Sequence, residues 1–182
     1  MGTVKGLLAL PFQPIGGQPA FAAEQLERFV TKRRVAVLGY LRSDGRPHQV
    51  PIWYTYQDGT FLMSTVTDSP KHRALLRDPR VSLTIQDETP PYRAVILEGA
   101  ATLSPIDPAN DPTEGMAVRY FGRVAANEYH KMTADLYAAS GVTLVTLAPS
   151  AVRGFDNHRT LSKPVLAFVR LRERLPIPRS WL

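Results

Sequence analysis

Hydrophobic and polar residues alternate along much of the first hundred residues, which is typical of β-strands with one buried face. Asp44-Gly45 and Asp58-Gly59 are tight-turn pairs that separate the first three alternating segments and predict a three-stranded meander. The strands of the meander are predicted at 35–41, 48–56 and 61–66, and further strands at 80–86, 93–103 and 142–152.

Three other segments have the spacing of amphipathic helices. They are 22–32, 70–77 and 113–139, the last with a break near Gly122. Five consecutive short strands with only one short helix among them do not fit a doubly wound parallel sheet. The pattern predicts a mainly β fold, an antiparallel barrel with flanking helices. We divide the chain into an N-terminal arm (1–20), a barrel domain (21–160) and a C-terminal tail (161–182).

The amino-acid composition excludes some kinds of chemistry and argues against others. The 182 residues include no cysteine, which excludes disulfides and thiolate catalysis, and the four histidines lie far apart in the sequence, which argues against a metal site. The formal net charge of +6 would suit an anionic ligand. No basic run is interleaved with aromatic residues, so we do not predict a nucleic-acid partner.

No stretch approaches the 18 or so apolar residues that a membrane-spanning helix needs. The N-terminus lacks an apolar core long enough for a signal peptide. We therefore expect a cytoplasmic protein without a membrane partner.

The start of the helix at 70–77 carries the most informative local signal. Ser69 is a typical N-cap and Pro70 a typical first helical residue, but Lys71, His72 and Arg73 then fill the first turn. The positive end of a helix dipole disfavours each such cation by about 0.3–1 kcal/mol. Free backbone N–H groups, hydroxyls and a lysine together suit a bound phosphate. The alternative is an ordinary solvated helix start.

Three motifs, in this order and spacing, carry a resemblance to a known family. The first is an Asp-Gly hairpin followed by Pro51-Ile52-Trp53, the second is the hydroxyl-rich strand end with the basic helix start, and the third is Glu98-Gly99. Residues 35–104 thereby resemble split-barrel flavin- and deazaflavin-binding proteins related to pyridoxamine phosphate oxidase. The match is to the branch of reductases that depend on the deazaflavin factor 420. The resemblance implies an FMN-binding-type split antiparallel β-barrel and a homodimer with the cofactor at the subunit boundary.

The resemblance also implies cofactor-binding residues. The strand expected along the tricyclic ring contributes Gln49, Val50, Pro51, Ile52 and Trp53. The residues expected at the cofactor phosphate are Ser64, Thr65, Ser69 and Lys71. Arg93 is a candidate for a second anionic group, or else a solvent-facing strand cation. Trp53 could instead be a core or dimer-interface aromatic.

Two positions depart from the oxidase pattern. Oxidases of the family usually carry two adjacent basic residues at the helix start, where this chain has Pro70 before Lys71. They also commonly place a glutamine early in the third motif, where this chain has Ala94. These departures favour the deazaflavin branch over FMN.

The implied function is an oxidoreductase that transfers a hydride between factor 420 and a small conjugated organic acceptor. One alternative is an FMN-dependent oxidase or reductase of the pyridoxamine phosphate oxidase type. Another is a non-enzymatic protein that binds a flavin, a deazaflavin or haem. No catalytic residue is assigned, since the cofactor supplies the hydride chemistry. Tyr56, His72 and Tyr129 are candidates for a proton donor.

Overall fold

The structure, a computed structural model, describes residues 7, 10–17 and 21–172, without the side chains of residues 23, 108 and 170. The strands are β1 (Phe12–Pro14), β2 (Ala36–Leu41), β3 (Pro47–Ile52), β4 (Thr55–Gln57), β5 (Thr60–Val66), β6 (Arg80–Gln86), β7 (Arg93–Pro105), β8 (Val142–Leu147) and β9 (Ala151–Asp156). The helices are α1 (Ala23–Thr31), α2 (Pro70–Arg77), α3 (Met116–Phe121), α4 (Arg123–Ser140) and α5 (Lys163–Arg172). Parts of the predicted arm and tail, including Trp181, lie outside the described residues, and the division of the chain stays a prediction.

The strands form one predominantly antiparallel sheet in the order β3-β2-β6-β7-β8-β5-β4. β9 pairs with β7, and β1 pairs with β9 in the single parallel ladder of the described residues. Within the same ranges no ladder joins the two ends of the path, β3 and β4, so hydrogen bonds do not close the sheet. The predicted antiparallel β fold with flanking helices is confirmed.

The predicted strand 48–56 is interrupted at Trp53 and Tyr54, which separate β3 from β4. The backbone N–H of Tyr54 donates to the Tyr120 hydroxyl over 3.2 Å instead of to a neighbouring strand. The Tyr54 side chain is fully buried, and its hydroxyl donates to the Val30 carbonyl over 2.8 Å. These contacts take the place of strand pairing where the chain passes from β3, at one end of the strand order, to β4, at the other end.

β7 is long because it serves two neighbours in succession. Residues 93–98 pair with β9, and residues 101–105 pair with β8. Gly99 lies between these halves, and a Cβ there would be 3.0 Å from a Leu147 methyl and 3.2 Å from the Ala148 carbonyl oxygen. A glycine at this point of the strand therefore permits the connection after β8 to approach the β7 backbone closely.

The segment 142–152 contains two strands in succession and not the single predicted strand, and both run antiparallel to β7. β8 and β9 are joined by residues 148–150, which include Pro149. Proline has no N–H to donate to a ladder, so the pairing with β7 is interrupted there and resumes in β9.

The helix predictions agree closely with the structure. α2 spans the predicted residues, and the predicted break near Gly122 separates α3 from α4. Gly122 has φ +79° and ψ 164°, a region that only glycine adopts readily. No helix in the described ranges is long and apolar enough to cross a membrane.

Candidate functional site

The β5–α2 connection brings hydroxyl groups to the start of a helix. The Thr65 and Ser69 hydroxyls lie 3.2 Å apart and share a hydrogen bond. Ser69 is the N-cap of α2, and its Oγ accepts from the His72 backbone N–H over 3.2 Å. Pro70 is the first helical residue, as predicted.

The three basic side chains of this first turn take different directions. His72 is buried, and its Nδ1 accepts from the Asp68 backbone N–H over 3.2 Å, so it locks the turn. Arg73 is exposed and donates to the Asp68 carbonyl. Lys71 is half-buried, and no described residue lies within hydrogen-bonding or ion-pair distance of its ammonium group. Lys71 is therefore the cation of this turn that remains available to a ligand.

Burial lowers the pKa of Lys71 below the usual lysine value. A half-buried ammonium without a carboxylate partner, at the positive end of a helix, is electrostatically unfavourable. A bound anion would supply the missing partner and favour the charged form of Lys71. We call Ser64, Thr65, Ser69 and Lys71 the hydroxyl-lysine anchor.

A cavity of about 620 Å³ joins the hydroxyl-lysine anchor to the end of β3. Its polar lining comes mainly from β5 and α2, and its apolar lining from β3, α3 and α4. Eight of the ten predicted cofactor residues line it: Val50, Pro51, Ile52, Trp53, Ser64, Thr65, Ser69 and Lys71. The structure thus places most of the predicted site around one space, large enough for a cofactor-sized ligand.

Aromatic side chains line the part of the cavity next to β3. Trp53 meets Phe121 edge-on, with ring centroids 4.7 Å apart, and packs against Tyr129 at 5.4 Å. The Tyr129 and Tyr137 hydroxyls are 2.9 Å apart. We call Trp53, Phe121, Tyr129 and Tyr137 the aromatic wall.

Burial and the hydrogen bond to Tyr137 raise the pKa of Tyr129 to about 12. The Tyr129 phenol therefore keeps its proton at neutral pH. The hydrogen bond between Tyr129 and Tyr137 uses only one of the two hydroxyl protons. The other hydroxyl can therefore donate to a ligand in the cavity.

Tyr120 holds the aromatic wall to the barrel. Its ring stacks on Trp53 with centroids 5.0 Å apart and planes 10° from parallel. Its hydroxyl donates to the Arg34 carbonyl over 2.7 Å and accepts from the backbone N–H of Tyr54. Burial raises the pKa of Tyr120, so this hydroxyl also stays protonated.

Of the aromatic wall, sequence reasoning proposed Trp53 for the cofactor and Tyr129 as a candidate proton donor, and it missed Phe121 and Tyr137. It also missed Tyr40, which lines the cavity from β2. The available signal was Tyr129 and Tyr137, eight residues or about two helical turns apart. Nothing in the sequence pairs these helix residues with a strand seventy residues earlier.

Gln49 and Arg93 lie outside this cavity. Gln49 lines a separate cavity of about 510 Å³ on the other side of β2 and β3. Arg93 Nε donates to an Asp87 carboxylate oxygen over 2.6 Å, and Arg34 binds the other oxygen of Asp87. Burial raises the pKa of Asp87, but the hydrogen bonds from Arg93 and Arg34 outweigh it and hold that pKa below the usual range. Cofactor contacts by Gln49 and Arg93 stay predictions.

Comparison with known protein families shows which family the chain belongs to. The family profile described as pyridoxamine 5'-phosphate oxidase matches residues 22–155, nearly three quarters of the chain. The chain belongs to this family. The family resemblance and the oxidoreductase class predicted from the motifs are thereby confirmed.

Individual pyridoxamine 5'-phosphate oxidase relatives support this assignment. The chain is 32% identical over 93 residues to a Mycobacterium tuberculosis biliverdin reductase that depends on reduced factor 420, a match covering 50% of this chain and 67% of the relative. A solved structure of a conserved hypothetical protein from the same organism has a TM-score of 0.64 and 22% identity, covering 91% of this chain and 98% of the other.

A second solved structure is a Clostridium acetobutylicum protein related to general stress protein 26, of the pyridoxinephosphate oxidase family. Its TM-score is 0.54 and its identity 16%, covering 72% of this chain and 86% of the other. At these identities the two structures establish the shared fold of the family, the predicted split barrel.

Among the described residues no acidic or histidine cluster could hold a metal.

Proposed function

We propose that this member of the pyridoxamine 5'-phosphate oxidase family is a reductase that transfers a hydride from reduced factor 420 to a small conjugated organic acceptor. The observation that carries the proposal is a single cavity bordered by an unpaired lysine with three hydroxyls on one side and an apolar strand end with an aromatic wall on the other. The relationship to a factor 420-dependent biliverdin reductase favours this cofactor.

The residues fit the two chemical halves of such a cofactor. The hydroxyl-lysine anchor would bind the phosphate through charge-assisted and neutral hydrogen bonds, at the positive end of the α2 dipole. The β3 residues Val50 to Ile52 and the following Trp53 would lie along the ring. When bound, the cofactor supplies the hydride.

The chain's own residues would orient the acceptor and exclude water. The aromatic wall offers flat apolar surface to a conjugated acceptor and covers the ring side of the cavity. The Tyr129–Tyr137 pair can donate a hydrogen bond to an acceptor oxygen, because one of its protons is not used within the pair.

A second candidate is an FMN-dependent reaction, which the description of the family supports. FMN would present the same phosphate to Lys71 and a similar ring to β3. A non-enzymatic carrier of a flavin, deazaflavin or haem would use the same contacts without turnover.

We also propose a homodimer with the cavity near the subunit boundary. α4 exposes Val124, Met132 and Leu136, and α5 exposes Val165, Phe168 and Leu171. Apolar side chains repeated along a helix in this way support burial by another copy. Light scattering of the purified protein measures the mass directly, and a monomer at micromolar concentration would refute it.

The test of function combines binding with turnover. We expect cofactor absorbance and fluorescence to change on titration with factor 420 at micromolar concentration, and more weakly with FMN. Reduced factor 420 should then be oxidised on addition of enones, quinones or biliverdin. Tighter binding of FMN would establish the second candidate, binding without turnover would indicate a carrier, and binding of neither cofactor would reject both enzyme hypotheses.

A further inference from the structure

Tyr40 lies on the face of β2 that borders the candidate cofactor cavity. Alternate residues of β2 are buried, Leu38 and Tyr40 among them. The antiparallel register places Leu38 directly opposite Val50, which lines the cavity, and directly opposed residues of two strands point to the same face. Tyr40 and Pro70 together line this cavity and a smaller one next to it. The Tyr40 side chain therefore lies at the end of the cavity where α2 begins and the hydroxyl-lysine anchor is found.

The Tyr40 ring is held in place by packing. The residue is 8% exposed and belongs to the hydrophobic core, together with Ala74 and Leu75 of α2. The ring meets His48, its cross-strand neighbour, edge-on with ring centroids 5.3 Å apart. Such packing leaves the ring few alternative orientations, so the direction of its hydroxyl is set before a ligand binds.

The Tyr40 hydroxyl has no hydrogen-bond partner among the described residues. The hydroxyls of Tyr54 and Tyr120, by contrast, donate to backbone carbonyls over 2.8 and 2.7 Å. A buried tyrosine usually finds such a partner. Burial raises the pKa of Tyr40, and the charge of Arg42 offsets this only in part, so the hydroxyl keeps its proton at neutral pH. Tyr40 therefore brings an unused hydrogen-bond donor to the cavity.

This donor limits which ligands can fill the cavity beside Pro70 and Lys71. A ligand in that position would shield the Tyr40 hydroxyl from water, and the hydroxyl would then lack any partner unless the ligand offered an acceptor. A phosphate monoester has three strong acceptor oxygens. They suffice to accept from Lys71, from a hydroxyl of the anchor and from Tyr40 at the same time.

We propose that Tyr40 is a ligand-binding residue that donates a hydrogen bond to the phosphate held by the hydroxyl-lysine anchor. This inference rests on the proposed function. It adds a donor from β2 to the groups that β5 and α2 supply, so the phosphate would be bound from two sides of the cavity.

The variant Tyr40→Phe removes the hydroxyl and keeps the packed ring. We expect it to bind factor 420 or FMN, whichever of them wild type binds, about tenfold more weakly, which corresponds to about 1.4 kcal/mol. Riboflavin, which has the ring of FMN without its phosphate, should bind wild type and variant alike. Inorganic phosphate should raise the melting temperature of wild type more than that of the variant.

Thermal unfolding without ligand separates binding from a structural role. Since the hydroxyl has no partner within the described residues, ligand-free Tyr40→Phe should melt at the temperature of wild type or above it. Tyr92→Phe is the matched control, because Tyr92 is an exposed tyrosine that does not line the cavity. It should keep both the cofactor affinity and the response to inorganic phosphate. A lower melting temperature for ligand-free Tyr40→Phe would reveal a structural partner and overturn the proposal.

The binding results have equally definite outcomes. Equal affinities of wild type and Tyr40→Phe for the phosphorylated cofactor would overturn the proposal, and so would an equal loss of affinity for riboflavin, since the contact would then not be to the phosphate. If wild type binds neither cofactor, the proposed function fails. A stronger response to inorganic phosphate in wild type than in Tyr40→Phe would still support the hydrogen bond in that case, and an equal response would reject it, so the two failures are distinguishable.

Discussion

The hydroxyl-lysine anchor and the aromatic wall border the same cavity but are held in place in different ways. Contacts within the anchor are local: Ser69 caps His72 three residues on, and Thr65 reaches Ser69 four residues on. The wall depends on contacts across the chain, such as that between Tyr120 and Arg34, 86 residues apart. These anchor contacts therefore need only β5 and α2 to fold, whereas the wall needs segments that are distant in the sequence.

This contrast assigns different roles to the two regions: the anchor would bind the cofactor phosphate, and the wall would enclose the cavity. A preformed anion site needs little reorganisation and supplies affinity for the phosphate. The part of the wall that α3 and α4 carry can be changed without replacing a residue of the anchor, and under the proposed function it is the surface that a substrate would meet. Changes in the anchor should thus alter cofactor affinity, and changes in the wall should alter stability and acceptor choice.

The largest effect is expected for Lys71→Ala. Loss of a charge-assisted contact of about 1.5–3 kcal/mol should weaken cofactor binding about 10- to 100-fold, with little loss of stability. Fluorescence titration measures the affinity. Lys131→Ala, which removes an exposed lysine paired with Glu128 on α4, is the control. Unchanged affinity in the Lys71 variant would remove its phosphate role.

Gly122→Ala should be the most damaging small change to the wall. Its positive φ makes a side chain there cost about 1–3 kcal/mol of stability. Gly115→Ala is the matched control, because Gly115 has an ordinary φ of −73° and open space at its Cβ. Equal melting temperatures for the two variants would contradict the strain assigned to Gly122.

Tyr120→Phe tests the long-range attachment of the wall. It leaves the backbone N–H of Tyr54 and the Arg34 carbonyl without this partner and should cost about 1–3 kcal/mol in urea unfolding. Affinity for the cofactor phosphate should change less than in the Lys71 variant. Tyr92→Phe, at an exposed tyrosine, should be neutral. A loss of affinity as large as that of Lys71→Ala would show that anchor and wall are coupled.

Ser69 joins stability and binding in one residue. Ser69→Ala should cost about 1 kcal/mol through loss of the N-cap, and Ser69→Gly only a few tenths. Both remove the hydroxyl, so both should weaken phosphate binding alike. If affinity instead followed stability across the pair, the hydroxyl would act only as a cap.

The smallest effect concerns alkaline pH. Because burial lowers the pKa of Lys71, the folded protein releases this proton at lower pH than the unfolded chain does. The contribution of Lys71 to stability should rise with pH through its lowered pKa and level off above the unperturbed value of 10.5. Melting temperatures of wild type and Lys71→Gln, compared across this range without cofactor, should show the rise only in wild type. Parallel curves would contradict it.

Local signals explain what could be predicted from the sequence. The N-cap at Ser69, the turn at Asp58-Gly59 and the break at Gly122 each depend on a few neighbouring residues, and the structure has all three, with positive φ at Asp58, Gly59 and Gly122. The family resemblance then placed β3 beside the helix start, which composition and periodicity alone could not do.

Long-range contacts explain what was missed. The predicted strand 48–56 is broken at Tyr54, where the backbone N–H donates to the hydroxyl of Tyr120 and not to a neighbouring strand. No residue near Tyr54 in the sequence indicates that partner. The aromatic wall has the same origin. Asp87, which binds Arg93, also binds Arg34, 53 residues earlier in the chain, and the sequence did not indicate this shared partner.

Gly99 has a consequence for how the length of this chain can vary. Since β7 pairs on one side of Gly99 with β9 and on the other with β8, and β8 pairs with β5, the position of the hydroxyl-lysine anchor depends on the residue count of β7. One inserted or deleted residue there would turn the side chains of one half to the opposite face. Evolutionary changes in length should therefore collect in connections such as 87–92 and 106–115 and spare residues 93–105.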